Sequence, residues 1–156
     1  MKITVLALSH KIEPWAQQAV DQFIKRFPAD WKVTIKEMKP EDRSGGKPTE
    51  QVLAKEAERL RAAVPKGALM VALDERGLRL TSKALADQLL AWHDASENLC
   101  LLIGSADGLD ANLKSQCHAL WRISDLTLPH AMVRALLVET LYRSWSILAG
   151  HPYHRE

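Results

Sequence analysis

Apolar positions along this chain follow two alternating rhythms: short runs of strand length, and longer stretches with the three-and-four spacing of helices. Ile3–Leu8 is a mainly apolar run too short for a helix and reads as a buried strand. In Glu13–Phe27, Trp15, Ala16, Ala19, Val20, Phe23, Ile24 and Phe27 recur at helical spacing, with Pro14 suited to the start and Pro28 to the stop. Trp31–Met38 sets Val33, Ile35 and, less cleanly, Trp31 against Lys32, Thr34, Lys36 and Glu37, which predicts a strand with one wetter face at a sheet edge. Thr49–Val64 predicts a helix with Thr49 as cap and Val52, Leu53, Leu60 and Val64 as its stripe, ended by Pro65 and Gly67. Ala68–Leu73 then reads as a strand that stops at the charged turn 74–77. Thr81–His93 is a third amphipathic helix, capped by Thr81 or Ser82, with Leu85, Ala86, Leu89, Leu90 and Trp92 for the core. Leu99–Ile103 is a buried strand running into a glycine-bounded turn, Gly104 to Gly108. Asp110 caps a helix from Ala111 to His118, Leu120–Ile123 begins a last extended segment, and the final helix starts at about Pro129.

Strands alternating with helices in this way predict an α/β protein with a largely parallel, five- to six-stranded sheet covered by helices on both faces. Residues 1–156 form one domain without repeats or low-complexity tracts. Ligands of open parallel sheets sit at the carboxyl ends of the strands, so residues 73–77, 104–108 and 124–130 are expected on one rim. The glycine turn is neither a Walker A loop nor a dinucleotide fingerprint, which disfavours nucleotide hydrolysis and hydride transfer. Helix N–H groups beginning at Pro129 point back at the preceding loop, a natural place for a polar or carboxylate-bearing ligand. Residues 39–48, dense in Pro, Gly and charge, read as a flexible loop, and Lys36, Lys39, Arg43 and Lys47 form a small basic cluster.

With 156 residues, 47% of them hydrophobic and 26% charged, the chain can bury a real core. A net charge of +2 supplies no global attraction to nucleic acid, so RNA contact would need a local patch or combined subunits. No apolar run has membrane-spanning length and the N-terminus lacks a signal-peptide pattern, so a cytoplasmic protein without membrane contact is expected. Cys100 and Cys117 give neither a CxxC motif nor a disulfide framework and read as small buried apolar side chains. In the last helix, Val133, Leu137, Leu141 and Leu148 mark one apolar face and Val138, Tyr142, Trp145 and Ala149 a neighbouring one, leaving only Arg134, Glu139 and Arg143 polar. Such breadth fits burial against both the sheet and a second subunit, or a monomer with a fully buried helix.

Four segments together carry a resemblance: Leu101-Leu-Ile-Gly-Ser-Ala-Asp-Gly108; Ser124-Asp-Leu-Thr-Leu-Pro-His130 with Arg134; Glu139-Thr-Leu-Tyr-Arg-Ser-Trp145; and the ending His151-Pro-Tyr-His-Arg-Glu156. The chain resembles the ribosomal large subunit methyltransferase H family, small SPOUT-class enzymes that modify a pseudouridine in large-subunit (23S) ribosomal RNA. The likeness runs over essentially the whole chain, Arg26-Phe-Pro28 included. It implies methyl transfer from S-adenosyl-L-methionine to N3 of pseudouridine, by a homodimer whose SPOUT-type fold ends in a C-terminal trefoil knot, acting on the large subunit or the assembled ribosome. Carried over by position, the family's cofactor contacts fall on Leu73, Gly104, Ile123, Ser124, Asp125, Leu126, Thr127 and Leu128, mostly through backbone groups.

Ring N3 of a uracil-like base is protonated at neutral pH, so transfer also asks for a base or a deprotonating environment. His130, Tyr153, His154 and Arg155 are the catalytic candidates, and the resemblance implies that the tail folds over an active site. His151 and His154 alone do not make a metal site, and no metal is expected. Ser105 stands where the family pattern has a second glycine; if that position needed positive φ, serine would cost about 1–2 kcal/mol there. The alternative that this substitution sharpens is a non-catalytic, ribosome-associated dimeric RNA-binding protein.

Overall fold

A computed structural model describes residues 1–155. Its sheet has five strands, all paired in parallel: β1 (Lys2–Leu8), β2 (Lys32–Met38), β3 (Leu69–Arg79), β4 (Leu99–Ile103) and β5 (Ala119–Arg122), in the order β2-β1-β4-β3-β5. Strand β2 does lie at an edge, and its outward Lys32, Thr34 and Lys36 alternate with inward Val33. The central strands β1 and β4 are buried on both faces, which is why their sequences run apolar without alternation.

Helices cover both faces. On one, α1 (Pro14–Ile24), α3 (Ser82–Asp94) and α5 (His130–Leu148) pack over Ile3, Val5, Val71, Leu99, Leu101 and Trp121. On the other, α2 (Thr49–Ala63) and the short α4 (Ala111–Ser115) cover Leu6, Leu8, Ala72, Cys100 and Leu102. Burial pushes the Cys100 thiol up to about 12, in line with a small buried apolar side chain. A short 3-10 turn, Pro152–His154, closes the described chain.

Several local expectations change. Helix α1 stops at Ile24 and leaves Trp15 52% exposed, so the first tryptophan is not a core residue. Thr49 is the first helical residue of α2 with Pro48 at the cap, whereas Thr81 and Asp110 do cap α3 and α4 by accepting from Ala84 N and Leu113 N. Pro129 occupies the N-cap of α5 and His130 the first helical position. The segment 74–77 is not a turn: β3 continues through it with a register shift, so that Leu78 and Arg79 rejoin β5 at Trp121 and Arg122. A Cβ on Gly77 would stand 2.6–2.8 Å from the backbone of Leu120 and Trp121, so glycine is what lets the two strands close again.

Helix α5 has no simple polar strip. Arg134 is 1% exposed and bridges elements, donating to Glu37 Oε1 at 2.7 Å and to Ser9 Oγ. Trp145 stacks on Tyr142 and packs at a tilt against His151 of its own chain, so neighbouring elements already cover much of the broad apolar surface of α5.

Candidate functional site

The carboxyl ends of β1, β4, β3 and β5 open into one cleft of ≈ 920 Å³. All eight cofactor-contact candidates, Leu73, Gly104, Ile123, Ser124, Asp125, Leu126, Thr127 and Leu128, line it, and so does His130. The rim of strand ends expected from the parallel sheet is therefore assembled. Two further stretches join it, Ser9–Glu13 after β1 and Arg43 with Pro40 from the 39–48 loop. The signal for the first was available, since residues 9–13 directly follow a buried strand and obey the same rule.

Each wall has its own cause. Gly104 packs so tightly that a Cβ would lie 2.4 Å from Gly108 O and 2.5 Å from its carbonyl carbon. The missing side chain is thus demanded by the turn itself, not by an approaching ligand. Gly108 takes φ +85 and donates its N–H to Ser105 O at 2.9 Å, closing the turn. Ser105 does not adopt positive φ; among the described residues the only non-glycine that does is Ser96. Its hydroxyl instead donates to Glu56 Oε1 at 2.8 Å and accepts from Arg43 Nη2 at 2.8 Å.

On the facing wall, Ser124 Oγ accepts from Leu126 N at 2.9 Å, folding the loop so that the Leu126 side chain is 77% exposed. Asp125 is held by Arg79 and, at 3.3 Å, by Arg122. Burial by itself would raise the Asp74 carboxyl, but Lys114 at 2.8 Å and the Arg76 N–H outweigh it and hold it below its ordinary value. His130 reaches across to Gly104 O through Nε2 at 2.9 Å. Burial lowers its pKa, so the ring is neutral and Nε2–H is the donor, tying the start of α5 to the glycine turn.

The tail lies elsewhere. Tyr153 donates to Glu139 Oε1 at 2.9 Å and packs edge-on to Tyr142 and Phe23, with Arg143 over its ring. His154 Nδ1 meets Ser146 Oγ at 3.3 Å; that hydroxyl already donates to Arg143 O, so the imidazole N–H is the donor. Glu139 is nine residues beyond His130, roughly 14 Å along the helix. Tyr153, His154 and Arg155 do not line the cleft of their own chain. Burial and the Glu139 carboxylate raise the Tyr153 phenol, so in this docked position it stays protonated as a donor to Glu139. Glu156 lies outside the described residues.

The basic cluster read around residues 36–47 is not a free patch. Arg43 is paired with Asp107 and Glu56, and Lys47 sits 3.7 Å from Glu41. No helix among the described residues is long and apolar enough to cross a membrane, and among them no three His, Cys, Asp or Glu side chains are grouped to hold a metal ion.

Comparison with known proteins places this geometry. Residues 1–154 match the family model described as predicted SPOUT methyltransferase. The chain is 51% identical, over the full length of both, to a protein of Acidovorax sp. (strain JS42) named ribosomal RNA large subunit methyltransferase H. It is 49% identical over the same extent to a protein of that name from Polynucleobacter asymbioticus. A solved structure titled as a probable methylase family protein from Haemophilus influenzae Rd KW20 shares the fold, with a TM-score of 0.55 at 15% identity over 99% of this chain and 70% of that one. With nearly every residue matched by the family model and half of them identical in full-length relatives, the chain belongs to the SPOUT methyltransferase family.

Proposed function

We propose that this chain transfers the methyl group of S-adenosylmethionine to N3 of a pseudouridine in large-subunit ribosomal RNA, in the cytoplasm, as a homodimer whose C-terminal half is knotted. The observation that carries the reading is the single cleft in which every cofactor-contact candidate meets, in a chain half identical to full-length ribosomal RNA methyltransferases. The cleft volume suits a nucleoside-sized ligand. Glu13 and Glu75 on its walls suit a ligand bearing a sulfonium and an ammonium, while Asp74 and Asp125 are already held by Lys114, Arg79 and Arg122.

The bound cofactor supplies an already activated methyl group, so the protein's task is to position it and keep water out. The turn at Gly104 and the loop 123–128 hold the ligand largely by backbone groups, which is why ordinary Leu and Ile side chains serve there. His130, its Nε2–H spent on the Gly104 carbonyl, fixes the distance between these two walls.

The remaining chemistry, a group to take the N3 proton and a cation for the RNA, is in Tyr153, His154 and Arg155. These sit away from the cleft of their own chain, so in this reading a second copy brings them to it. Exposed Trp15 and Met132, on the first turns of adjacent helices at the cleft end, and Leu126 on its lip supply apolar surface for that copy. The non-catalytic alternative loses the feature that sharpened it, because Ser105 is unstrained.

The test is incubation with labelled S-adenosylmethionine and ribosomes lacking the modification, followed by mapping of the label. One labelled pseudouridine in large-subunit RNA is expected. Tight RNA binding with no transfer would establish the alternative.

A further inference from the structure

Beside the glycine turn, and not among the residues that line the cleft, stands a carboxylate with almost no access to water. Glu56, on α2, is 1% exposed. Its Oε2 accepts from Glu41 N at 2.9 Å, and its Oε1 accepts from Ser105 Oγ at 2.8 Å and from Arg43 Nη2 at 3.4 Å. A charge buried this deeply persists only where several donors converge on it. Two of the three donors come from the 39–48 loop and the third from the turn that lines the cleft.

The same loop is tied at other points. Arg59 donates to Lys39 O and to Glu41 Oε2, both at 2.8 Å. Arg43 spreads its fork over both partners, with Nη1 to Glu41 O at 2.9 Å, Nη2 to Ser105 Oγ at 2.8 Å and Nε to Asp107 Oδ2 at 2.8 Å. Asp107 and Ser105 both belong to the glycine turn. The segment that composition reads as a free basic loop is therefore a strap whose one arginine grips the turn at two points.

We propose that Glu56, Arg43 and Ser105 form a positioning clamp that presets the Gly104–Gly108 turn for its ligand, with the Ser105 hydroxyl as the link between the carboxylate and the guanidinium. The clamp acts through the turn, not on the reacting atoms. It should therefore set cofactor affinity and leave the chemical step alone, because a turn fixed before binding avoids the ordering cost at the moment of binding. This deepens the methyltransferase reading and rests on it.

Arg43→Met keeps the stem and removes the fork. Losing the charge-assisted bonds should weaken S-adenosylmethionine binding in calorimetry about tenfold or more. Because Arg43 itself lines the cleft, the split between KM and kcat is read on Asp107→Asn, whose residue does not: KM for the cofactor should rise while kcat at saturating cofactor stays within about twofold. Exchange of the Gly108 amide, which closes the turn, should quicken. Arg43→Lys should recover part of the affinity, and Ser105→Gly should add little on top of Arg43→Met, since both break one network. Asp107→Asn is a surface change that loosens the same fork, and it decides the matter by its own Kd if Arg43→Met does not fold. A cofactor Kd within about twofold of wild type in the folded variant, or a loss confined to kcat, overturns the clamp while wild-type binding keeps the parent reading standing. Absence of cofactor binding by the wild-type protein overturns both.

Discussion

At Gly104, Ser105 and His130 single atoms decide the shape of the cleft. Gly104 admits no Cβ, Ser105 ties its hydroxyl to Glu56 and Arg43, and His130 closes the gap to the Gly104 carbonyl. The histidine has a pH consequence whose sign is fixed. Burial holds the folded pKa below the ordinary value of 6.5, so in the window between the two the unfolded chain binds the proton and the folded chain does not. Stability from this residue is complete above pH 6.5 and is lost as pH falls through that window. The stability difference between wild type and His130→Gln, measured by denaturant titration, should therefore shrink as pH is lowered from neutrality. A difference that grows on acidification would mean that the folded protein stabilises the imidazolium. At this scale the sequence announces which residues matter but not how. The demand for glycine at 104 is readable from the tight turn, yet its cause is the backbone of Gly108, and the Ser105 hydroxyl bonds to a partner 49 residues away.

Elements are held in place by a few polar bridges set into an otherwise apolar packing. The main one is Arg134, which joins α5 to β2 through Glu37 and to the end of β1 through Ser9. Because Glu37 is partly exposed and can be rehydrated, Arg134→Met should cost about 1–3 kcal/mol, not the larger penalty of stranding a buried charge. Thermal unfolding checks this, and a variant as stable as wild type would mean that the bridge contributes nothing net. Periodicity located every strand and helix, because burial on both faces makes β1 and β4 continuous apolar runs and one-sided burial makes the helices amphipathic. It failed where a tertiary contact overrides local character. The charged segment 74–77 stays in a strand because β5 pairs on both sides of it, and the loop 39–48 is anchored because Glu56 draws it inward. Arg134 looked like surface in the helical pattern because its two partners are more than 90 residues distant.

For the whole molecule, the sheet gathers one cleft at the carboxyl ends of its strands while α5 carries the tail chemistry away from that cleft. The position of the cleft was legible from the parallel-sheet rule. The separation of cleft and tail was not, because residue types alone do not say where a chain end docks. The proposed completion of the site by a second copy is tested most directly by complementation between two damaged subunits. One subunit lacks residues 153–156 but keeps its cleft; the other carries Thr127→Trp, which adds bulk on the cleft wall, and keeps its tail. After each homodimer is shown to be inactive, turnover on ribosomes is measured for verified heterodimers. The account predicts about half of wild-type activity, since one of the two composite sites is then intact. Heterodimers no more active than either parent would contradict it and return the tail to its own subunit's cleft.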